Sequence, residues 1–325
     1  MKRRVSVYLV VAAISAASSP AALEAQTYPT KAIRFIVPQQ PGGQNDIQAR
    51  LIAQRLAEVL GQPVVVENRA GAGGAVGFEV ASQTPPDGHM LALGSISTLA
   101  VIPMMPTKPR YDVLKDFAPV TLISKSPYIV VVHPTVPAKS MKELVALAKA
   151  RPGSLTYASS GNATGVHLTS EMFKLVAAID MVHVPYKGGA PGTIAVLSGE
   201  AAVMFNNVIS ALPHVRTGRL RALAVTSSQR SAAAPGVPTI AESGWSGFEA
   251  GSWQGVVTRA GTPAEIVARL HREIVKILNQ PEVKDPIVRD GNDLIANTPA
   301  EFAAFIRAEM DKLGKVIKIA KVTGE

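Results

Sequence analysis

The sequence predicts an α/β fold built from two similar halves, and three observations carry that prediction. Short apolar runs alternate with segments whose apolar residues fall on one helical face. The β-α-β-α-β order at the start of the chain recurs in its middle, which signals parallel sheet covered by helices on both faces. The chain has 325 residues, about twice a typical single domain.

Taken in order, Ile33 to Val37 reads as a short buried strand, broken by the Pro and Gly residues of 38–44. Asp46 to Leu60 follows as a helix with Ile47, Leu51, Leu56, Val59 and Leu60 near one face and Gly61 as its stop. Val64 to Val66 is a second strand, Gly71 to Gly77 a glycine-rich turn, Phe78 to Gln83 a helix, and Met90 to Leu93 a third strand. Phe117 to Ser124 and Tyr128 to His133 read as two further strands. Ser140 and Glu143 form a capping box for a helix ending near Ala150. Leu155 to Ser159, Met181 to Pro185, Ala202 to Phe205 and Leu220 to Thr226 are strands; His167 to Val176 and Gly188 to Leu197 are helices. Thr262-Pro263-Ala264-Glu265 and Thr298-Pro299-Ala300-Glu301 each predict a capping box with Pro at the first helical position. The helices they open carry Ile266, Leu270, Ile274 and Leu278, and Phe302, Ile306, Met310, Leu313 and Ile317.

Residues 1–25 form an export signal rather than part of the fold. Lys2, Arg3 and Arg4 are a positive start, Val5 to Ala17 an apolar run, and Leu23-Glu24-Ala25 a small-residue cleavage site before Gln26. The run of 13 residues is too short for the ~20 that a membrane span needs. The net charge is +9; without Lys2, Arg3, Arg4 and Glu24, 30 basic and 23 acidic residues remain, or +7. That excess is dispersed, with neither the clustered basic stripe nor the recognisable module of a nucleic-acid binder, so it implies a mild attraction for small anions. With 47% apolar and 18% charged residues the chain is not disordered, and with no cysteine it has no disulfide, thiolate metal site or cysteine nucleophile.

Several motifs fail on inspection. Gly71-Ala72-Gly73-Gly74-Ala75-Val76 misses the dinucleotide fingerprint because Val76 stands where the third glycine belongs. His89, His133, His167, His183, His214 and His271 form no metal-binding spacing, and Gly244 to Phe248 misses the G-x-S-x-G elbow. Two strand-to-helix loops do carry chemistry: Pro38 to Asp46, and Ser159-Ser160-Gly161-Asn162-Ala163-Thr164-Gly165. Glycines let backbone N–H groups approach a ligand, a helix start favours an anion, and short hydroxyl and amide side chains bind a carboxylate without burying a full countercharge. Ligands of open α/β sheets sit beyond the carboxyl ends of the strands, where both loops lie.

The chain resembles the periplasmic substrate-binding receptors of tripartite tricarboxylate transporters, the Bug-type receptors. The resemblance rests on Tyr28-Pro29, Pro41-Gly42-Gly43 with Asp46, Val66-Glu67-Asn68-Arg69 with Gly71 to Gly74, Pro86-Asp87-Gly88, and Asp116-Phe117-Ala118-Pro119-Val120. It continues through Ser159-Ser160-Gly161, His167-Leu168, Val184-Pro185-Tyr186-Lys187-Gly188, Trp253-Gln254-Gly255 and Ala260-Gly261-Thr262-Pro263. It implies a periplasmic-binding-protein type 2 (Venus flytrap) fold, with one lobe over 26–121 plus 226–325 and the other over 122–225. It further implies a monomeric, non-enzymatic periplasmic receptor that takes no cofactor or metal, binds a small organic carboxylate by lobe closure and passes it to a membrane permease. The ligand residues it implies are Gln39, Gln40, Pro41, Gly42, Gly43, Asn45 and Asp46 on one side, and Ser159, Ser160, Gly161, Thr164, Lys187, Gly188 and Asn206 on the other, with Ser95 at the end of the third strand. Asp46 either caps its helix or orders the ligand loop; His167 reads as structural.

Gln39-Gln40 and Asn206-Asn207 depart from the family pattern, in which an aromatic or small residue and an acid often stand. Both changes make the cleft more neutral, which favours a ligand with a second polar or carboxylate end over an amino acid. Two alternatives remain open at this level: a receptor reporting to a signalling partner, and a secreted hydrolase using Ser159 with a histidine.

Overall fold

The computed structural model describes residues 28–42 and 44–323; the export signal lies outside this range, as does Gly43. The chain runs β1 (Ile33–Val37), α1 (Gln44–Leu60), β2 (Val64–Asn68), α2 (Ala75–Ser82), β3 (Met90–Ser95), α3 (Val113–Asp116) and β4 (Phe117–Val132). It continues as α4 (Met141–Ala150), β5 (Thr156–Ser159), α5 (Gly165–Ala177), β6 (Val182–Pro185), α6 (Gly189–Leu197), β7 (Val203–Asn207), α7 (Val208–Arg216) and β8 (Arg221–Val225). The last elements are β9 (Gly251–Arg259), α8 (Ala264–Leu278), α9 (Pro281–Arg289), β10 (Asp293–Leu294) and α10 (Pro299–Ile319).

The strands follow the order β2-β1-β3-β9-β4-β7-β5-β6. In the first part β1 pairs in parallel with β2 and β3, and β9 runs antiparallel to β3 and β4. In the second part β5 pairs in parallel with β6 and β7, while β4 lies antiparallel to β7 and β8. β4 joins the two. Its residues Phe117 to Pro127 pair with β9, and Tyr128 to Val132 pair with β7. The two strands expected at 117–124 and 128–133 are thus one. Ser126-Pro127, which reads as a turn signal, marks a change of sheet: Pro127, with no N–H to donate, sits at the last pairing position with β9. Residues 122–127 therefore pair with the first sheet. Conversely, Trp245 and Phe248 stack edge-on against Phe173 of α5, on the second.

α1 buries Ala49, Ile52, Ala53, Leu56 and Leu60 against the first sheet and α8. Ile47 and Val59, expected on that face, are 60% and 49% exposed. The real stripe uses two alanines that a reading weighted to large side chains passes over. A second core runs from α2 and β3 through β4 to α5, β7 and α10, so the sheets share apolar packing along one side.

The helix starts are only partly as expected. At α10, Thr298 accepts the Glu301 N–H and Glu301 reaches back to Thr298 N, a complete capping box. At α8 the expected box is absent: Thr262 Oγ1 donates to the Arg259 carbonyl at 2.7 Å, closing the turn after β9, and Pro263 takes the cap position with no side-chain bond. At α4, Ser140 accepts from Glu143 N, but the Glu143 carboxylate turns to Lys139 N at 2.8 Å. Thr298→Ala should therefore lower stability by about 1 kcal/mol and Thr262→Ala should not act through a helix cap; equal urea midpoints for Thr298→Ala and the parent would refute the assignment.

Candidate functional site

The first loop is built around Asp46, which is 2% exposed. Its Oδ2 accepts the Gly42 N–H at 2.9 Å and Arg50 Nε at 3.0 Å, and its Oδ1 accepts Asn68 Nδ2 at 2.9 Å. Asn68 Nδ2 also donates to the Gln39 carbonyl at 3.1 Å. The hydrogen-bonded guanidinium of Arg50, helped by the Gly42 and Asn68 donors and opposed by burial, holds the Asp46 carboxyl at about 2. With both oxygens engaged, Asp46 orders the loop from below. Gln39, Gln40, Pro41 and Gly42 lie exposed above it. Gly42 has φ 83, a left-handed conformation that side chains resist, and the space where its Cβ would stand is empty. Ser95, at the end of β3, bonds through its N–H to Thr98 Oγ1 at 3.0 Å.

The second loop is tied down differently. Ser159 is fully buried; its Oγ lies 2.6 Å from His183 Nε2 and accepts the Gly161 N–H at 3.1 Å. Thr164 caps α5, accepting from His167 N, and donates to the Gly161 carbonyl at 2.8 Å. Ser160 and Gly161 are part-exposed, while Lys187 is exposed beside Gly188 at the start of α6. Gly165 seats the start of α5 where the sheets meet: a Cβ there would collide with the hydroxyl of Tyr128 on β4 and lie 3.8 Å from Ile96 Cγ2, just after β3. Asn206, buried at the end of β7, donates to Thr193 Oγ1 at 2.8 Å and accepts its neighbour's N–H at 2.8 Å. The Ser159–His183 distance is that of a nucleophile and its base. The hydroxyl is sealed from solvent, however, and the nearby carboxylate of Glu171 bonds Tyr157 and Lys174.

Next to the start of α1 lies a cavity of about 530 Å³, a size within the range of small-molecule sites; Gln39 to Gly42, Asp46, Ser159 to Gly161, Thr164, Lys187 and Gly188 do not line it. Asn45, Gln48, Leu51 and Ile52 of α1 form one wall. Asn207 to Ser210, at the start of α7, form another. Its back is the crossing segment itself, Ser126-Pro127 beside Ser252, Trp253 and Gln254, and α9 closes it with Val283, Pro286 and Ile287. Of the described residues expected at the ligand, Asn45 lines this cavity, Asn206 precedes a lining residue, and Ser95 is the ladder partner of lining Gln254. Gln254 Nε2 donates to Gln48 Oε1, and Gln254 Oε1 is buried with no partner among the described residues. Among the described residues, no lysine or arginine lines the cavity, and Asp290, exposed just after α9, is the one acid that does.

Sequence reading missed Gln48, Trp253, Gln254, Asn207 and the α9 wall. Trp253-Gln254-Gly255 stands in that reading only as part of the resemblance, without a role, and Asn207 only within a departure, Asn206-Asn207, that makes the cleft more neutral. Among the described residues, no group of His, Asp or Glu could hold a metal ion, and no helix is long and apolar enough to cross a membrane.

Residues 48–322 match the model of the tripartite tricarboxylate transporter family receptor. Protein BugT of Bordetella pertussis is 39% identical over 309 residues, 94% of each chain. A solved structure described as a periplasmic transporter is 40% identical with a TM-score of 0.75, covering 91% of this chain and 99% of its own. The R. palustris protein Rpa4515, solved with adipate, is 32% identical with a TM-score of 0.76 over 91% and 99%. MatC from Rhodopseudomonas palustris, solved with bound malate, is 29% identical with a TM-score of 0.73 over 89% and 100%.

Proposed function

The chain belongs to the tripartite tricarboxylate transporter receptor family and has its type 2 periplasmic-binding fold, and from that premise we propose that it captures a small two-ended organic carboxylate between two closing lobes and delivers it to a membrane permease. The lobes of this reading are 26–121 plus 226–325 and 122–225, meeting along the loops after β1 and β5. The observation that carries it is the cavity at the crossing strands, whose polar lining is amides and hydroxyls from the starts of two helices and from the strands, with one acid, Asp290.

Donors of that kind suit an anion that must later be released. The N-termini of α1 and α7 each present partial positive charge, and Asn45, Gln48, Asn207 and Ser210 stand in their first turns or just before them. Among the described residues the cavity has no lysine or arginine in its lining, so a ligand held there makes no buried ion pair that has to be broken on release. Leu51, Ile52, Val208, Ile209 and Trp253 supply apolar contact for the ligand's body. The exposed backbone of Gly42 and the loop 159–164 are the jaws that close on one carboxylate. Closure excludes water and strengthens each hydrogen bond, and the ligand drives it through its higher affinity for the closed state. Ser126-Pro127 and Gly251-Ser252, paired side by side where the chain changes sheet, are the hinge.

That two solved relatives hold adipate and malate, both two-ended acids, supports the ligand class. The neutral Asn206-Asn207 pair argues against an amino acid, whose ammonium group requires an acid. Native mass spectrometry of the protein purified from periplasm should show a bound small acid, and calorimetry should show binding of aliphatic or aromatic diacids. Binding of amino acids, with no diacid or aromatic acid bound, would overturn the assignment.

A further inference from the structure

The second loop is held by two histidines that the proposed binding reaction does not otherwise use. Tyr157 of β5 and His183 of β6 are ladder partners, and their rings stack at 4.9 Å and 19°. His167 of α5 stacks on His183 in turn, its ring 3.8 Å away at 16°. Each imidazole then holds one point of the loop. His183 Nε2 meets Ser159 Oγ at 2.6 Å, and Ser159 Oγ accepts the Gly161 N–H. His167 Nδ1 accepts the Ala163 N–H at 3.1 Å. Ala163 has φ 55, a left-handed conformation that an alanine keeps only where its surroundings impose it.

We propose that His167 and His183 are positioning residues: a stacked, uncharged pair that sets ligand affinity by fixing the shape of loop 159–164 without touching the ligand. The inference rests on the reading above, in which this loop is one jaw of the cleft. The chemistry requires neutrality at His167, because a protonated Nδ1 is a donor and would face the Ala163 N–H with no acceptor. Two stacked imidazolium rings would also repel. The surroundings agree: burial, then the neighbouring His183, pushes His167 down to about 4, and burial lowers His183. The charged groups that bear on the pair are Glu171 and Lys174 of α5, bonded to each other at 2.8 Å, with Tyr157 donating to the same carboxylate. Their charges oppose one another and leave the imidazoles neutral.

The test uses adipate as probe and the full mature chain. His167→Asn keeps an acceptor near the Nδ1 position, whereas His167→Leu removes it. Calorimetry should show adipate bound about tenfold more weakly by His167→Leu, as loss of one loop-holding hydrogen bond implies, and nearly unchanged by His167→Asn. Between pH 6 and about 4 the wild type should lose affinity faster than His167→Asn; the ligand's own carboxyls titrate alike for both, so the difference between the profiles is the readout. Hydrogen exchange at the amides of 161–163 should accelerate in His167→Leu and not in His167→Asn. Equal affinity and equal exchange for the wild type and His167→Leu would overturn the clamp. If the wild type binds neither adipate nor any other acid, the receptor reading fails instead, and the exchange rates still decide whether the histidines hold the loop.

Discussion

Asp46→Ala should destabilise the protein by about 2–3 kcal/mol at neutral pH and weaken ligand binding by at least about tenfold. The carboxylate is buried and takes three donors at once, from Gly42 N–H, Arg50 and Asn68. Hydrogen bonds to a charged group are worth about 1.5–3 kcal/mol each, and removing the shared acceptor orphans all three donors. Arg50 is half exposed and can turn to water, so its share is small. Gly42 N–H and Asn68 Nδ2 lose the acceptor that fixes them in place, and Asn68 is also what holds the Gln39 carbonyl, so the cost falls on the order of the loop. The pH dependence identifies the mechanism. The folded-state pKa of Asp46 is depressed to about 2. Its contribution is therefore present above its unfolded value near 4 and disappears as pH falls from there toward 2. Unfolding by urea should show the two proteins far apart at pH 7 and converging at the acid end. A gap that is absent, or unchanged with pH, would show that the carboxylate does not organise the loop.

Much of this architecture is legible from the chain because strands buried on both faces must be apolar and helices must carry a one-sided stripe. The alternation from β1 to β3, and again from β5 to β7, follows from those two constraints alone. Legibility fails where one residue type serves two purposes. Ser126-Pro127 is a turn signal by composition and a sheet crossing in fact. Pro213 and Pro286 hide α7 and α9, since a proline inside a segment argues against a helix unless neighbouring packing overrides it. Gly251 and Gly255 hide β9, because glycine in a strand looks like a breaker until the atoms pressed against it are known.

The site divides in the same way. Pro41-Gly42-Gly43 and Ser159-Ser160-Gly161 are contiguous, so a motif reveals them. The cavity wall is assembled from α1, β4, α7, β9 and α9, and only the folded chain brings Gln48 to Gln254. Ser159 shows a further limit. A hydroxyl in a candidate ligand loop invites a direct role, yet burial turns it inward to His183, and His167, read as structural, accepts the Ala163 N–H of the same loop. The two loops are thus held by opposite means: a buried anion braces the first, and a pair of stacked imidazole rings the second. Acid should loosen both, the first through Asp46 as pH approaches 2 and the second earlier, through His167 near 4.

Gly255→Ala should destabilise the protein severely, although it adds only one methyl group. Gly255 lies in the middle of β9, opposite Gly94 of β3 on one side and Leu122 of β4 on the other. A Cβ at Gly255 would stand 2.4 Å from Phe302 Cζ and 2.6 Å from the Thr121 carbonyl oxygen. Phe302 is fully buried, so its ring has no free volume to move into, and the carbonyl belongs to the sheet itself. A Cβ on the partner Gly94 would lie 2.2 Å from Leu99 Cδ1, so both glycines are places where side chains rest directly on bare backbone. The added methyl has to spread β9 from β4 or expel the aromatic ring of α10. Overpacking costs about 1–3 kcal/mol where side chains can adjust, and here backbone must adjust too, so about 3 kcal/mol or more is expected. The damage should reach function, because Trp253 and Gln254 enter the cavity from the same strand one and two residues earlier. Gly255→Ala combined with Phe302→Leu, which removes the ring atoms nearest the methyl, should recover part of the loss relative to the sum of the single changes. Denaturation midpoints of the two single variants and the double variant measure this coupling; strict additivity, or a Gly255→Ala protein as stable as the parent, would mean that the strand accommodates the methyl by another route.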